Sequence, residues 1–166
     1  MPSYYINNFF KLEFQKHLIN ACCDLIRFNK TLGKLDAIVV TGVSGIPIGS
    51  IISYTMGIPL IISRDHKSSH SNGVLEYDVH YFENKDNVNY IIIDDFIASG
   101  NTIKRVIDSM TDMKVETKCI GIILWSKYHS ESEELSQRQY GFDLTKAKNI
   151  PLFGPYLEKE FWPENY

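Results

Sequence analysis

Four short apolar runs recur along the chain, and each is rich in isoleucine or valine. Their apolar residues are nearly consecutive instead of alternating, which is the pattern of strands buried on both faces of a parallel sheet. The four runs are Ala37–Val40, Ile58–Ile62, Tyr90–Ile93 and Cys119–Leu124. They predict the central strands of the fold.

Apolar residues at helical spacing precede or separate these runs. They predict helices over Phe10–Asn29, Ile46–Met56 and Asn101–Met113. The polar stretch 65–89 interrupts this order, and within it Val74–Phe82 is a candidate strand or hairpin arm. Together these elements predict a doubly wound α/β fold, with a mainly parallel sheet flanked by helices. Ligands of such a fold bind beyond the carboxyl ends of the strands, so the loops after the four runs are the candidate sites.

Composition narrows the class of protein. The 166 residues fit one globular domain, with 44% hydrophobic and 22% charged residues. No apolar run approaches the roughly 18 residues of a membrane-spanning helix, and the first residues do not resemble a secretory signal. The 17 basic and 20 acidic residues give a formal net charge of −3, which disfavours nucleic acid as the main partner. We expect a single cytoplasmic domain spanning residues 1–166, with no membrane partner.

Two consecutive carboxylates, Asp94 and Asp95, close the third apolar run. Charge at the end of a buried strand is unfavourable unless it is paired or used. The small residues that follow open a helix, where the amides of 98–102 and the hydroxyls of Ser99 and Thr102 suit a phosphate group. The alternative is that Asp95 caps a helix and Asp94 pairs with a lysine. The small-residue loop favours a sugar-phosphate site.

A second loop of small residues follows the first apolar run. It begins Thr41-Gly42-Val43-Ser44-Gly45 and continues to Ser50. It has neither the lysine of a Walker A loop nor the G-x-G-x-x-G spacing of a dinucleotide site. Two glycines in a strand-to-helix turn still allow the backbone to approach an anion closely. An ordinary glycine-rich turn is the alternative to an anion site.

The segment from Ile91 to Thr102 resembles the phosphoribosyl pyrophosphate (PRPP) motif of type I phosphoribosyltransferases. In that motif an apolar strand is followed by two acidic residues, two apolar residues and a small loop ending in Gly-x-Thr. The resemblance implies that Asp94 and Asp95 hold the ribose 2′- and 3′-hydroxyls. It places the 5′-phosphate on Ala98, Ser99, Gly100, Asn101 and Thr102, and the diphosphate on Thr41, Gly42, Val43, Ser44 and Gly45.

The same resemblance implies a basic residue after the second run. Arg64 and Lys67 are the candidates there, at a spacing that departs from the Arg-Lys-x-x-Lys pattern of orotate enzymes. Attack of a base nitrogen on the ribose expels pyrophosphate, so negative charge develops on the leaving group. The implied catalytic residues are Lys67, Arg64 and Asp95. The implied cofactor is Mg²⁺, held by Asp94 and Asp95 mostly through PRPP and water. A solvated basic loop is the alternative.

The nucleobase is specified less well. Ala98 stands where hypoxanthine-guanine enzymes carry a carboxylate, which favours adenine, orotate or xanthine. The motif-bearing core covers about 37–124, so a small hood from the chain ends would form the base pocket. Its candidates are Trp125, Lys127, Tyr128, the segment 151–156 and Phe161–Trp162, unless these residues only cover a core edge.

We therefore expect a homodimeric, Mg²⁺-dependent enzyme that transfers a phosphoribosyl group from PRPP to a purine or to orotate. Two other classes of protein fit the same sequence features. One is a non-catalytic PRPP-binding regulator of the same fold. The other is a metal-dependent sugar-phosphate hydrolase.

Overall fold

The computed structural model describes residues 11–65, 73–97, 99–126 and 149–155. Helices in these ranges are α1 (Leu12–Phe28), α2 (Gly42–Met56), α3 (Val79–Phe82) and α4 (Asn101–Met110). The strands are β1 (Ala37–Thr41), β2 (Leu60–Ser63), β3 (Leu75–Glu76), β4 (Asn87–Asp94), β5 (Glu116–Leu124) and β6 (Leu152–Phe153). Over the same ranges, no helix has the length and apolar character needed to cross a membrane.

All six strands join one sheet in the order β3-β2-β1-β4-β5-β6. The β2–β3 pair is antiparallel, and the other pairs of the described sheet are parallel. From the neighbours β1 and β4, the chain moves outward in opposite directions, to β2 on one side and to β5 on the other. The predicted doubly wound, mainly parallel fold is confirmed. A ligand crevice is expected where the direction changes, beyond the carboxyl ends of β1 and β4.

Helices cover both faces of the sheet. Ile38 and Val40 of β1 belong to a buried cluster that includes residues of α1 and α2. Ala37 and Val39 belong to a second cluster that includes residues of α4. All five residues of β1 are therefore buried, which explains why its sequence is apolar without alternation.

Helix α2 packs closely on the sheet because two of its glycines face the strands. A Cβ on Gly49 would overlap Cγ1 of Val40, and a Cβ on Gly45 would lie 2.8 Å from the carbonyl oxygen of Ile93. Neither position has room for a side chain. The pair thus allows the first turn of α2 to approach the carboxyl end of β4.

The four predicted strands are confirmed, with shifted ends. β4 begins at Asn87 and β5 at Glu116, before the predicted starts at Tyr90 and Cys119. Burial is incomplete over these first residues. The apolar runs therefore mark only the parts of the strands that are covered on both faces.

The helices depart from prediction at their ends. The predicted start of α2 at Ile46 was wrong, because β1 passes into α2 through the extended Thr41 and through Gly42 at φ 64°, without a separate loop. Helix α4 ends at Met110 instead of Met113. The candidate hairpin arm Val74–Phe82 contains both β3 and the short helix α3, and β6 was not predicted.

Candidate active site

A cavity of about 300 Å³ opens where the carboxyl ends of β1 and β4 meet. Most of the predicted binding residues line it. From the β1–α2 junction these are Thr41, Gly42, Val43 and Ser44. From the β4–α4 junction they are Asp94, Asp95, Ser99, Gly100 and Thr102. The sheet topology thus brings together two segments that lie about fifty residues apart in sequence.

The acid pair is buried, with only 5% of each aspartate exposed. Oδ1 of Asp94 accepts hydrogen bonds from the Ser44 hydroxyl at 3.1 Å and from the N–H of Asp95 at 2.9 Å. Burial is the main cause that raises the pKa of Asp94 to about 7, and the charge of Asp95 is the second cause. A ligand that supplies hydroxyl donors or positive charge would stabilise the ionised pair.

The structure does not support the alternative in which Asp95 caps a helix and Asp94 pairs with a lysine. Oδ1 of Asp95 accepts a hydrogen bond from the N–H of Phe96 at 2.9 Å, while the N-cap of α4 is Gly100. Among the residues that the structure describes, Asp94 has no ion-pair partner. Asp95 therefore does not cap α4, and Asp94 does not pair with a described lysine.

Two helices begin at the cavity, and each is preceded by or begins with a glycine in the left-handed region. Gly42 has φ 64° at the start of α2, and Gly100 has φ 77° at the N-cap of α4. The first N–H groups of a helix have no partner within the helix, and they carry its positive dipole end. In α4 the Ser99 hydroxyl accepts a weak bond from the N–H of Asn101 at 3.4 Å. Both junctions suit anions.

Arg105 and Asp65 also line the cavity, and neither was predicted from the sequence. Nη2 of Arg105 donates a hydrogen bond to Oγ1 of Thr41 at 3.2 Å, and its Nη1 forms an ion pair with Asp65. A signal was available for Arg105, because it follows Thr102 by three positions and therefore shares a face of α4 with it. Arg105 links the β1–α2 and β4–α4 junctions.

A family model for the phosphoribosyl transferase domain matches residues 18–151, a range that contains both junctions. The chain belongs to this family. The resemblance drawn from the acid pair and its loop is confirmed, and with it the assignment of the chain as a phosphoribosyltransferase. The matched range also contains the whole predicted core.

Several relatives carry names from the same family. The chain is 22% identical over 152 residues to a xanthine phosphoribosyltransferase of Lactobacillus helveticus, which covers 83% of this chain and 79% of the relative. It is 30% identical over 107 residues to an adenine phosphoribosyltransferase of Prochlorococcus marinus, covering 57% of this chain and 61% of the relative. It is also 33% identical over 90 residues to the transcriptional regulator GfcR of Thermoplasma acidophilum, covering 53% of this chain and 43% of the regulator.

Solved structures of phosphoribosyltransferases share the fold. The orotate phosphoribosyltransferase of Francisella tularensis superposes with a TM-score of 0.61 at 18% identity, over 88% of this chain and 67% of that one. The adenine phosphoribosyltransferase of Saccharomyces cerevisiae gives 0.60 at 20% identity, over 89% of this chain and 81% of that one. At these identities the likeness shows the fold alone, and it does not indicate which nucleobase is used.

Three predicted site residues lie away from the cavity wall. Gly45 faces β4 through the close contact described above. Asn101 is exposed at the start of α4. Nη2 of Arg64 pairs with Oε1 of Glu76 on β3 at 3.0 Å, and the neighbouring Asp65 lines the cavity instead. Arg64 thus lies on the β2–β3 edge in this structure.

Other predicted residues fall outside the described ranges. These are Lys67 and Ala98, together with the hood candidates Lys127, Tyr128, Tyr156, Phe161 and Trp162. Residues 151–155 of the hood segment are described, and two of them form β6 in the sheet. Trp125 is described and is 2% exposed in the cluster beneath α1 and α2. It therefore packs in the core, as the structural alternative for this residue had it.

The acid pair suits a divalent cation chemically. Its two buried carboxylates repel each other, and this repulsion is the second cause, after burial, of the raised pKa of Asp94. A bound cation would relieve it, and oxygen is the ligand atom that Mg²⁺ prefers. In the described part of the chain, no group of three or more His, Cys, Asp or Glu side chains could hold a metal by itself. Water and substrate oxygens would have to complete the coordination of an ion at Asp94 and Asp95.

Proposed function

We propose that this phosphoribosyltransferase moves the phosphoribosyl group of PRPP to a nucleobase, a purine or orotate, in a Mg²⁺-dependent reaction that releases pyrophosphate. The observation that carries this proposal is the meeting of the buried acid pair with two helix starts in one cavity. PRPP presents vicinal hydroxyls between two phosphate-bearing ends, and the cavity offers acceptors between two sets of amides. We further propose that the enzyme acts as a homodimer.

The carboxylates of the chain would orient the sugar. Asp94 and Asp95 accept hydrogen bonds from the ribose 2′- and 3′-hydroxyls, and Ser44 holds Asp94 in place across the crevice. Hydrogen bonds to ionised carboxylates are the strong ones, so they position C1 of the ribose firmly. Mg²⁺, when bound, would neutralise the charge that develops on the departing pyrophosphate.

The two helix starts would receive the phosphates. The 5′-phosphate binds at Ser99–Thr102, and the diphosphate binds at the first turn of α2. Lys67 is the cation proposed to act on the leaving group as the bond to C1 breaks. Arg64 remains a second candidate for that role, although here it pairs with Glu76.

A pyrophosphate-release assay tests the proposal. PRPP and Mg²⁺ are supplied with adenine, orotate, xanthine, hypoxanthine or guanine in turn, and the nucleotide product is identified. Ala98 and the similarity to xanthine and adenine enzymes favour turnover with one of the first three bases. Pyrophosphate release that does not depend on any base would instead indicate a sugar-phosphate hydrolase.

A non-catalytic PRPP-binding regulator is the second candidate function. The similarity to the Thermoplasma regulator, at 33% identity over 90 residues, favours it. It predicts that the chain binds PRPP with the same acid pair and yet forms no nucleotide with any base. Binding measured by calorimetry, together with silence in the release assay, would support this candidate over the enzyme.

A further inference from the structure

Arg105 reaches from α4 to the carboxyl ends of two neighbouring strands, β1 and β2. It lies on α4 one turn beyond Thr102, and its guanidinium reaches the end of β1, where Nη2 donates to the Thr41 hydroxyl at 3.2 Å. Nη1 pairs with Asp65, which follows β2. The guanidinium therefore lies beside the first turn of α2, which begins at Gly42.

The charges around this guanidinium are unusual for an anion site. The other ionisable groups of the cavity wall, within the described ranges, are the carboxylates Asp65, Asp94 and Asp95. Arg105 thus supplies the positive side chain of that wall. Its planar fork matches two phosphate oxygens, and the neighbouring helix start presents N–H groups to the same place.

The ion pair with Asp65 leaves Arg105 available to a ligand. The side chain of Asp65 is 62% exposed and that of Arg105 is 34% exposed. Water screens the largely exposed carboxylate of Asp65, which weakens its pairing with Arg105. A phosphate group carries more charge than one carboxylate, and it would be held by the amides of α2 at the same time.

We propose that Arg105 binds a phosphoryl group at the first turn of α2, and that Asp65 competes with this anion for the guanidinium. The inference rests on the proposed function only in naming the anion, which there is the diphosphate of PRPP. Arg105 is then an affinity-determining residue of the pyrophosphate half of the site. Asp65 weakens that affinity.

A simpler role for Arg105 makes a different prediction. If Arg105 merely neutralises Asp65, its removal would weaken anion binding by exposing a carboxylate to the anion. Removing both side chains would then restore binding. If Arg105 contacts the anion directly, the double variant still lacks its main cation.

Calorimetric titration of the full chain with inorganic pyrophosphate, at constant Mg²⁺, separates these roles. We expect Arg105→Gln to weaken binding about tenfold or more, as loss of a charge-assisted contact does, and Asp65→Asn to tighten it about threefold through loss of an exposed competing charge. Arg105→Gln with Asp65→Asn should bind about tenfold more weakly than Asp65→Asn alone. Lys104→Gln is the matched control, because Lys104 precedes Arg105 on α4, pairs with Asp108 and lies outside the cavity wall; it should change binding less than about twofold.

Ribose 5-phosphate serves as the second probe, because it carries a phosphoryl group for the β4–α4 junction instead. Arg105→Gln should affect it less than pyrophosphate. A loss confined to ribose 5-phosphate, or a double variant that binds pyrophosphate as tightly as Asp65→Asn, would overturn the proposal. Thermal unfolding checks each variant, and if Arg105→Gln fails to fold, Arg105→Lys should still weaken pyrophosphate binding measurably by losing the fork.

The outcomes distinguish this inference from the proposed function. Turnover by the unchanged chain, with equal pyrophosphate affinity in Arg105→Gln, would reject the role of Arg105 alone. Pyrophosphate binding that depends on Arg105, in a chain without turnover, would reject the enzyme and keep the anion site. An unchanged chain that binds no pyrophosphate would overturn the role of Arg105.

Discussion

Two buried aspartates lie at the amino edge and the carboxyl edge of the sheet, where its parallel strands begin and end, and their surroundings have opposite charges. Asp36 precedes β1 at the amino edge and is 4% exposed, while Asp94 ends β4 at the carboxyl edge and is 5% exposed. Lys85 and Lys34 pair with Asp36 at 3.0 and 3.6 Å, and the N–H of Asn89 donates to it at 3.1 Å. Asp94 lies beside a second carboxylate instead.

The pKa values of the two groups move apart for this reason. Desolvation acts most strongly on Asp36 and would raise its pKa, but the bonds from Asn89 and Lys85 together lower it. Burial and the charge of Asp95 raise the pKa of Asp94. The buried charge of Asp36, which lies away from the cavity, is thus paired with lysines and a backbone N–H. Where the charge faces the cavity, a second carboxylate lies beside it, as is common at functional sites.

Neutralising the acid pair should have the largest effect on the carboxyl edge. In Asp94→Asn with Asp95→Asn, we expect PRPP affinity to fall by about 3 kcal/mol or more, since each bond to a charged group contributes about 1.5–3 kcal/mol. Titration calorimetry measures this, and thermal unfolding should show an intact fold because the change also removes a like-charge pair. The control is Asp108→Asn with Asp112→Asn, which removes the same charge outside the cavity wall. Unchanged PRPP affinity in the first variant would refute the sugar-binding role.

Removing the proposed loop cation should affect the reaction more than binding. We expect Lys67→Ala to lower kcat on the order of 100-fold, as loss of a transition-state contact does, with a smaller loss of PRPP affinity. Steady-state kinetics and calorimetry give the two numbers. Arg64→Ala is the comparison variant, because its partner Glu76 lies on β3. Equal losses in kcat and affinity for Lys67→Ala would indicate ground-state binding only.

Neutralising Asp36 at the amino edge should lower the stability of the fold and not the affinity for PRPP. We expect Asp36→Asn to lower the free energy of unfolding by about 1–3 kcal/mol at neutral pH, with PRPP affinity unchanged. The value lies below that of a fully buried ion pair because Lys34 is largely exposed to solvent. Chemical denaturation measures it, and the exposed Asp112→Asn is the matched control.

The pH dependence of that difference follows from the sign of the shift. The folded-state pKa of Asp36 is lowered, so its stabilising contribution is present above the ordinary aspartate value near about 4 and is lost as pH falls through the folded-state pKa. The gap between the unchanged chain and Asp36→Asn should therefore close in acid. A gap that persists there would show that hydrogen bonding, and not charge, carries the contribution of Asp36.

The smallest effect should come from the bond that joins the two junctions. Ser44→Ala removes the 3.1 Å bond to Asp94, and we expect PRPP affinity to fall by about 0.5–1.5 kcal/mol. Ser50→Ala is the control, because its hydroxyl donates to the carbonyl of Ile46 within the same helix. Equal effects of the two changes would indicate loss of helix stability and no orienting role for Ser44.

Features formed by residues that are neighbours in the chain were predicted from the sequence, whereas features that depend on packing between distant residues were not. The acid pair, the small residues after it and the apolar strand before it are neighbours in the chain, so their order alone indicated the site. The polar beginnings of β4 and β5 escaped prediction because those residues lie beyond the doubly covered part of the sheet. The placement of Gly45 against β4 and of Arg64 beside Glu76 escaped it because both depend on which way an element faces its neighbour.

The fold class and the residue types of the β4–α4 junction could be predicted from the sequence, because apolar runs and short motifs act over a few residues. Which residues contact that junction depends on the folded arrangement of the helices and strands. This arrangement set β1 beside β4, allowed Gly45 and Gly49 to seat α2 close to the sheet, and brought Ser44 to Asp94 and Arg105 to Thr41. Such pairs form only after the sheet has assembled and the helices have docked, so the rotation of each helix and the order of the strands select the partners.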